Sequence, residues 1–190
     1  MRRNAWRRVR VVVLSVLGAT PIQAAEIGFD QWYEFRYFEA GTFGTLCTPD
    51  ACYPGENSVF APSEPWTFTT PSDSFVKVLL TDGFPSGDSF SLFDFGSLIG
   101  STPEVGISIG CGNDPDACFA DPAMSHRAFV LSPGSHSLTV RADTAPFGTG
   151  AAFFQVQVIP EPSTVASLAT ALFAAAGLAW RQRRARQRRD

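Results

Sequence analysis

Residues 127–143 read RAFVLSPGSHSLTVRAD, and this stretch decides the fold. Apolar and polar residues alternate strictly over its second half, residues 135–143. One face carries His136, Leu138, Val140 and Ala142. Since successive side chains of a β-strand point to opposite faces, the alternation predicts a half-buried strand. The segment Ser132-Pro133-Gly134 is typical of a turn, so we predict that 127–131 and 135–143 form a hairpin.

The same pattern of short apolar runs separated by Gly and Pro extends across residues 26–159. Further strands are predicted at 32–38, 66–70, 75–81, 89–95, 105–109 and 152–158. About eight strands without a helical period indicate an all-β fold. We therefore predict a jelly-roll-like β-sandwich in one exported domain.

Aromatic residues are abundant, with 17 Phe, 4 Trp and 3 Tyr. Most of the phenylalanines are expected to fill the core between two sheets, because each buried ring contributes about 1.5–3 kcal/mol. The alternative for a few of them is an exposed platform on which sugars stack. Its candidate members are Trp32, Tyr33, Tyr37 and Tyr53.

The charges are segregated along the chain. Eleven of the 15 basic residues lie in 1–10 and 181–189, whereas 26–159 holds 16 of the 18 acidic residues. A nucleic-acid-binding domain needs a basic face to neutralise phosphates, so the acidic body argues against nucleic acid as a partner. The two basic ends resemble topology signals instead.

Residues 1–25 have the three parts of a secretory signal peptide. A basic start precedes an apolar run at 11–18, and Ala24 and Ala25 offer small residues for signal peptidase. The alternatives are a short buried helix or an uncleaved anchor. The run is shorter than the ~20 residues that span a bilayer, which favours the signal peptide.

The opposite end, residues 160–190, also has three parts in order. Pro160, Glu161, Pro162 and Ser163 come first. An uncharged apolar segment at 164–180 follows and predicts a transmembrane helix. The Arg-rich segment 181–189 predicts that this end stays in the cytoplasm, with the body on the other side of the membrane.

This order of parts resembles the PEP-CTERM sorting signal, and the resemblance covers residues 160–190. It implies processing by exosortase, a membrane cysteine protease or transpeptidase of Gram-negative bacteria that make extracellular polysaccharide. It also implies export across the inner membrane as an anchored precursor, removal of the helix, and a body at the cell surface or outside the cell. The rival topology is a single-pass anchored ectodomain that keeps its helix. Segments within 60–159 look similar to the bodies of other PEP-CTERM proteins, and this weaker resemblance brings no assigned activity.

Four cysteines fall within the exported body: Cys47, Cys52, Cys111 and Cys118. Four cysteines allow three disulfide connectivities, of which local pairing is the simplest. An oxidising compartment favours disulfides. A four-thiolate zinc site is the alternative, and the C-x4-C and C-x6-C spacings do not match its tight knuckles.

The second cysteine loop offers hard oxygen ligands suited to Ca²⁺, namely Asn113, Asp114, Asp116 and Asp121. The same residue types also form ordinary solvated turns, and we favour the turn. Asp82, Asp88 and Asp94 invite the same two interpretations. We predict no cofactor, with Ca²⁺ as the open alternative.

Few residues suggest catalysis. His126 and His136 are the two histidines, and His136 lies on the apolar face of a predicted strand. No nucleophile elbow, zinc-protease helix or phosphate loop is found. Asp88 and Asp94 are a candidate glycosidase pair that needs a cleft. We therefore predict a noncatalytic surface or matrix protein associated with exopolysaccharide, with a carbohydrate-binding module as the alternative and a hydrolase as the third choice.

Overall fold

The structure is a computed structural model that describes residues 24–159. The predicted sorting residues Pro160–Ser163, membrane helix, Arg-rich tail and most of the predicted signal peptide lie outside this range. Within residues 24–159, no helix has both the length and the apolar character needed to cross a membrane.

The described residues form ten strands and one short helix. The first five strands are β1 (Ala25–Glu26), β2 (Trp32–Tyr37), β3 (Ser58–Phe60), β4 (Trp66–Thr69) and β5 (Phe75–Asp82). The remaining elements are β6 (Ser89–Asp94), β7 (Ser97–Ser101), α1 (Pro115–Ala120), β8 (His126–Leu131), β9 (Ser135–Thr144) and β10 (Gly150–Ile159). The all-β prediction is therefore confirmed.

The strands form two five-stranded sheets. Sheet I has the order β1-β4-β9-β6-β7, and sheet II has the order β3-β2-β10-β5-β8. Both sheets are mixed, because β1 joins β4 and β3 joins β2 in parallel while the other pairs are antiparallel. Ala25, at the end of the predicted signal peptide, pairs with Trp66 in sheet I.

One aromatic-rich core lies between the sheets. The rings of Trp66 and Phe154 have centroids 4.5 Å apart, and Phe35 contacts both. The buried phenylalanines are Phe35, Phe68, Phe90, Phe129, Phe153 and Phe154. Several others remain on the surface, so the expectation that most phenylalanines fill the core was too broad. The exposed ones are Phe38, Phe43, Phe75, Phe95 and Phe147.

The predicted hairpin of 127–131 with 135–143 is wrong. β8 pairs with β5 in sheet II, whereas β9 lies between β4 and β6 in sheet I. The turn crosses from one sheet to the other and is held by Thr70, whose hydroxyl accepts the N–H of Gly134 at 2.7 Å. Local alternation cannot distinguish the two arrangements, because both strands bury an apolar face in either case.

The predicted strand at 105–109 is also wrong. Its backbone is held by a side chain, since the Ser86 hydroxyl accepts the N–H of Ser108 and donates to the carbonyl of Gly106. No neighbouring strand is paired with it in the described structure. Ile107 and Ile109 are left exposed.

A second, smaller apolar cluster covers the outer face of sheet II. Trp32, Leu79 and Phe153 are buried there, with Phe84 and Phe119 packed against them. Helix α1 supplies Phe119 and is capped at its N-terminus by Asp114, whose carboxylate accepts the N–H groups of Asp116 and Ala117. Sheet II is therefore buried on both faces near its centre. The β5–β6 connection, which supplies Phe84 to this cluster, also lines the candidate site.

Candidate ligand-binding cleft

A cleft of about 420 Å³ opens where three connections meet. These are the first cysteine loop, the β5–β6 connection and the β9–β10 connection. The lining includes Tyr53, Gly83, Phe84, Asp88, Phe147 and Thr149. The volume falls within the usual range of small-molecule sites.

Asp82, at the end of β5, organises the connection that forms one wall. Its carboxylate accepts the N–H groups of Gly83 at 2.8 Å and of Gly87 and Asp88 at 3.1 Å each. Asp82 is fully buried. Burial, aided by repulsion from Asp88, raises the pKa of Asp82 to about 8, although the three N–H groups oppose the shift. Burial therefore favours the protonated form of Asp82 at neutral pH.

Asp88 lies beside Asp82 and lines the cleft. Its Oδ2 accepts a hydrogen bond from the Tyr37 hydroxyl, whereas its Oδ1 has no partner in the described structure. Burial raises the pKa of Asp88, and hydrogen bonds with Tyr37 and with the neighbouring Asp82 carboxyl group oppose the shift. Burial also raises the pKa of Tyr37, which keeps the hydroxyl protonated as a donor.

Gly150 permits this arrangement. A Cβ at this position would lie 2.1 Å from the Tyr37 hydroxyl oxygen, closer than atoms tolerate. The start of β10 can therefore pass over the Tyr37–Asp88 pair only because residue 150 has no side chain.

The four cysteines form two local disulfides, Cys47–Cys52 and Cys111–Cys118. The simplest of the three connectivities is thus the one observed. No free cysteine remains, so the zinc alternative lacks its thiolates.

The second disulfide loop is joined to the cleft and to the segment that follows the first disulfide loop. Asn113 in the second loop accepts the N–H of Glu56 at 2.8 Å and donates its amide to the carbonyl of Pro54 at 3.2 Å. Gly112 accepts the N–H of Phe84 at 2.7 Å. Phe84 has a φ of 60°, so this contact holds an aromatic residue in the left-handed region at the cleft wall.

Glu34 is buried behind the first disulfide. One carboxyl oxygen lies 3.9 Å from Sγ of Cys47, and the other accepts the N–H of Gly55 at 2.9 Å. Burial raises the pKa of Glu34, and that N–H group opposes the shift. Within residues 24–159, Glu34, Cys47 and Cys52 are the group close enough together to hold a metal, but both sulfurs are committed to the disulfide.

The predicted calcium ligands have separate protein partners. Asp114 caps α1, Asp116 accepts the Trp32 indole N–H at 2.9 Å, and Asp121 accepts the N–H of Ala123 at 2.9 Å. Asn113 donates its amide to the carbonyl of Pro54, just beyond the first cysteine loop. The predicted solvated turn is therefore wrong for this segment, because Pro115–Ala120 form helix α1 with Asp114 as its N-cap. Calcium binding stays a prediction.

The four aromatic residues proposed as a platform do not share one surface. Trp32 and Tyr37 are buried, and Tyr33 stacks on Phe154 with centroids 5.3 Å apart. Tyr53, in contrast, is 81% exposed and lines the cleft. The sequence pointed to Tyr53 but missed Phe84 and Phe147, because no periodicity marks a residue whose role depends on loop packing.

The histidines serve structural contacts. His136 is buried, as its position on the apolar face predicts, and its ring nitrogens lie 2.8 Å from Asp94 Oδ2 and 2.9 Å from the Ser132 carbonyl. His126 lies against Phe119. Asp94 therefore pairs with His136, whereas Asp88 contacts Tyr37, so the candidate glycosidase pair shares no partner. The lack of an enzymatic activity stays a prediction.

The fold and the tail together define a class of protein, a β-domain that carries a C-terminal sorting signal. Residues 158–184 match the family model described as the PEP-CTERM protein-sorting motif. The chain therefore carries this motif, which implies an exported protein that exosortase processes and that reaches the cell surface through a membrane-anchored precursor.

No curated protein matches the chain. Among solved structures, the chain is similar to the pre-peptidase C-terminal domain of collagenase from Bacillus anthracis, with 14% identity and a TM-score of 0.37. That match covers 74% of this chain and 100% of the collagenase domain.

Proposed function

We propose that the chain is a noncatalytic protein of the cell surface or extracellular matrix of a Gram-negative bacterium. In this proposal, signal peptidase removes the first 25 residues or so. Exosortase then acts at Pro160–Ser163 and separates the body from the helix at 164–180. The observation that carries the proposal is the PEP-CTERM match at 158–184.

The arrangement of the described residues supports this processing. The last strand, β10, ends at Ile159, directly before Pro160. A cut after Pro162 would therefore leave all ten described strands in the released body. Two disulfides and an excess of acidic residues suit a soluble domain in an oxidising compartment.

The intact mass of the native protein tests the proposal. We expect a product that begins near Ala25 or Glu26, ends near Pro162, and gains four hydrogens on reduction. Additional mass would identify an attached sugar or lipid. A membrane-bound product that retains residues up to Asp190 would refute processing and support the single-pass anchored ectodomain.

A carbohydrate-binding module is the second candidate function, because the cleft combines exposed aromatic rings with a buried carboxyl group. Calcium is a proposed aid to this binding through Asn113, Asp114, Asp116 and Asp121. Calorimetry with CaCl₂ on the protein freed of metal by EDTA tests the calcium site. Absence of a heat signal at millimolar Ca²⁺ would remove calcium from the proposal.

A further inference from the structure

Exposed aromatic rings stand at the mouth of the cleft. Tyr53 is 81% exposed and Phe147 is 55% exposed, whereas Phe84 is half-buried in the wall. Each ring leaves apolar surface in contact with water, although the core between the sheets buries other aromatic residues completely. Apolar rings gathered around a cavity are typical of a site that a ligand covers.

Asp88 supplies a polar group that the protein satisfies only in part, through Tyr37 and the neighbouring Asp82 carboxyl group. The residue is 5% exposed, lines the cleft, and has an Oδ1 without a hydrogen-bond partner in the described structure. A buried acceptor without a partner costs free energy that a ligand donor would recover. Tyr37 donates to Oδ2, so Oδ1 is the oxygen of Asp88 that is left to accept a hydrogen bond from a ligand.

The charge of the lining limits the class of ligand. No Lys, Arg or His is among the cleft residues of the described chain. An anionic ligand would meet the Asp88 carboxyl group without a compensating cation. The remaining polar groups are neutral, such as the Thr149 hydroxyl, and they match hydroxyl groups better than ions.

The cleft is also held in shape before any ligand arrives. Tyr53 directly follows Cys52 of the first disulfide, and Phe84 is hydrogen-bonded to Gly112 in the loop of the second. Asn113 in the second loop is hydrogen-bonded to Pro54 and Glu56, which follow the first loop directly. Preorganised walls lower the entropic cost of binding.

We propose that this cleft binds a neutral sugar ring, whose C–H face packs on Tyr53 and Phe147 while a hydroxyl donates to Oδ1 of Asp88. A pyranose offers both features at once, a flat apolar face and hydroxyl donors at its edge. The proposal rests on the carbohydrate-binding candidate above and not on the sorting of the chain.

The experiment is calorimetric titration of the full chain with neutral glucose hexasaccharides in β-1,4, β-1,3 and α-1,4 linkage. The chain is kept in a detergent without a sugar headgroup, which would otherwise compete. We expect binding of at least one hexasaccharide, weakened roughly tenfold or more by Tyr53→Ala, because an aromatic contact is lost. Tyr53→Phe keeps the ring and is expected to bind within about twofold of the native chain.

Phe75→Ala is the matched control, because Phe75 is 46% exposed at the start of β5 and does not line the cleft. Its affinity should equal that of the native chain. No binding of any hexasaccharide, or equal binding by Tyr53→Ala, would overturn the proposal. Binding of tetramethylammonium chloride in place of the sugars would also overturn it, by assigning the cleft to a cation. None of these outcomes depends on the intact mass, so they leave the sorting proposal separately testable.

Discussion

Raising the pH from 5 to 8 is expected to destabilise the folded domain, because burial favours the protonated carboxyl group of Asp82 in the folded state. Its pKa is 3.8 when exposed and about 8 in the folded protein. Across this window the folded state holds a proton that the unfolded state has lost. The stabilisation is therefore fully present below pH 3.8 and is lost as the pH rises through 8.

The expected effect is large for a small domain. One bound proton changes the free energy of unfolding by at most about 1.4 kcal/mol per pH unit. Over three units, a total on the order of 3 kcal/mol follows, out of the ~5–15 kcal/mol typical of a domain. Glu64 acts in the same direction, since burial raises its pKa to about 7 against an opposing backbone hydrogen bond.

Urea unfolding of the full chain, followed by tryptophan fluorescence at pH 5, 6, 7 and 8, measures this effect. High salt screens the exposed charges and isolates the buried group. Asp82→Asn should reduce the slope and leave the part that Glu64 contributes, whereas Asp73→Asn, at an exposed loop position, should leave the slope unchanged. An unfolding free energy that stays constant or rises from pH 5 to 8 would refute the reasoning, as would an unchanged slope in Asp82→Asn.

Three further predictions concern the core and the loops. Trp66→Ala should lower the free energy of unfolding in urea by about 3–5 kcal/mol, because the ring is fully buried and its indole N–H donates to the Pro62 carbonyl. A decrease below ~1 kcal/mol would contradict the packing. Gly150→Ala should lower the melting temperature, since its Cβ would lie 2.1 Å from the Tyr37 hydroxyl, whereas Gly106→Ala, which meets open space, should not. Reduction of both disulfides should cost only about 2 kcal/mol each, because each ring is short, and should leave the far-ultraviolet circular dichroism spectrum β-type; complete unfolding on reduction would show that the loops carry the fold.

Strand identity was largely readable from the sequence, because it depends on local alternation. The pattern at 135–143 predicted β9 and its inward His136, and the structure extends that strand by one residue to Thr144. The edge strands β1, β3 and β7 were missed. β1 and β3 have too few residues to show a pattern, and the sequence of β7, Ser97–Ser101, does not alternate apolar and polar residues. Residues 105–109 have the composition of a strand, but their backbone is hydrogen-bonded to the Ser86 side chain and not to a neighbouring strand.

The cleft was beyond prediction for a related reason. Asp82 and Asp88 looked like ordinary turn residues, and their burial with Tyr37 arises from pairing between distant segments. Phe147 became part of the same site as Tyr53 only because the β9–β10 connection folds beside the first cysteine loop.

The sequence by itself determined the destination of the protein and the all-β character of its body. Sorting signals are linear and are read by charge, length and residue order, so they need no fold to be recognised. Only the tertiary structure decided that β8 and β9 belong to opposite sheets, and that a buried carboxyl group lies beneath exposed aromatic rings. Both features depend on contacts between residues far apart in the chain, which local periodicity does not encode.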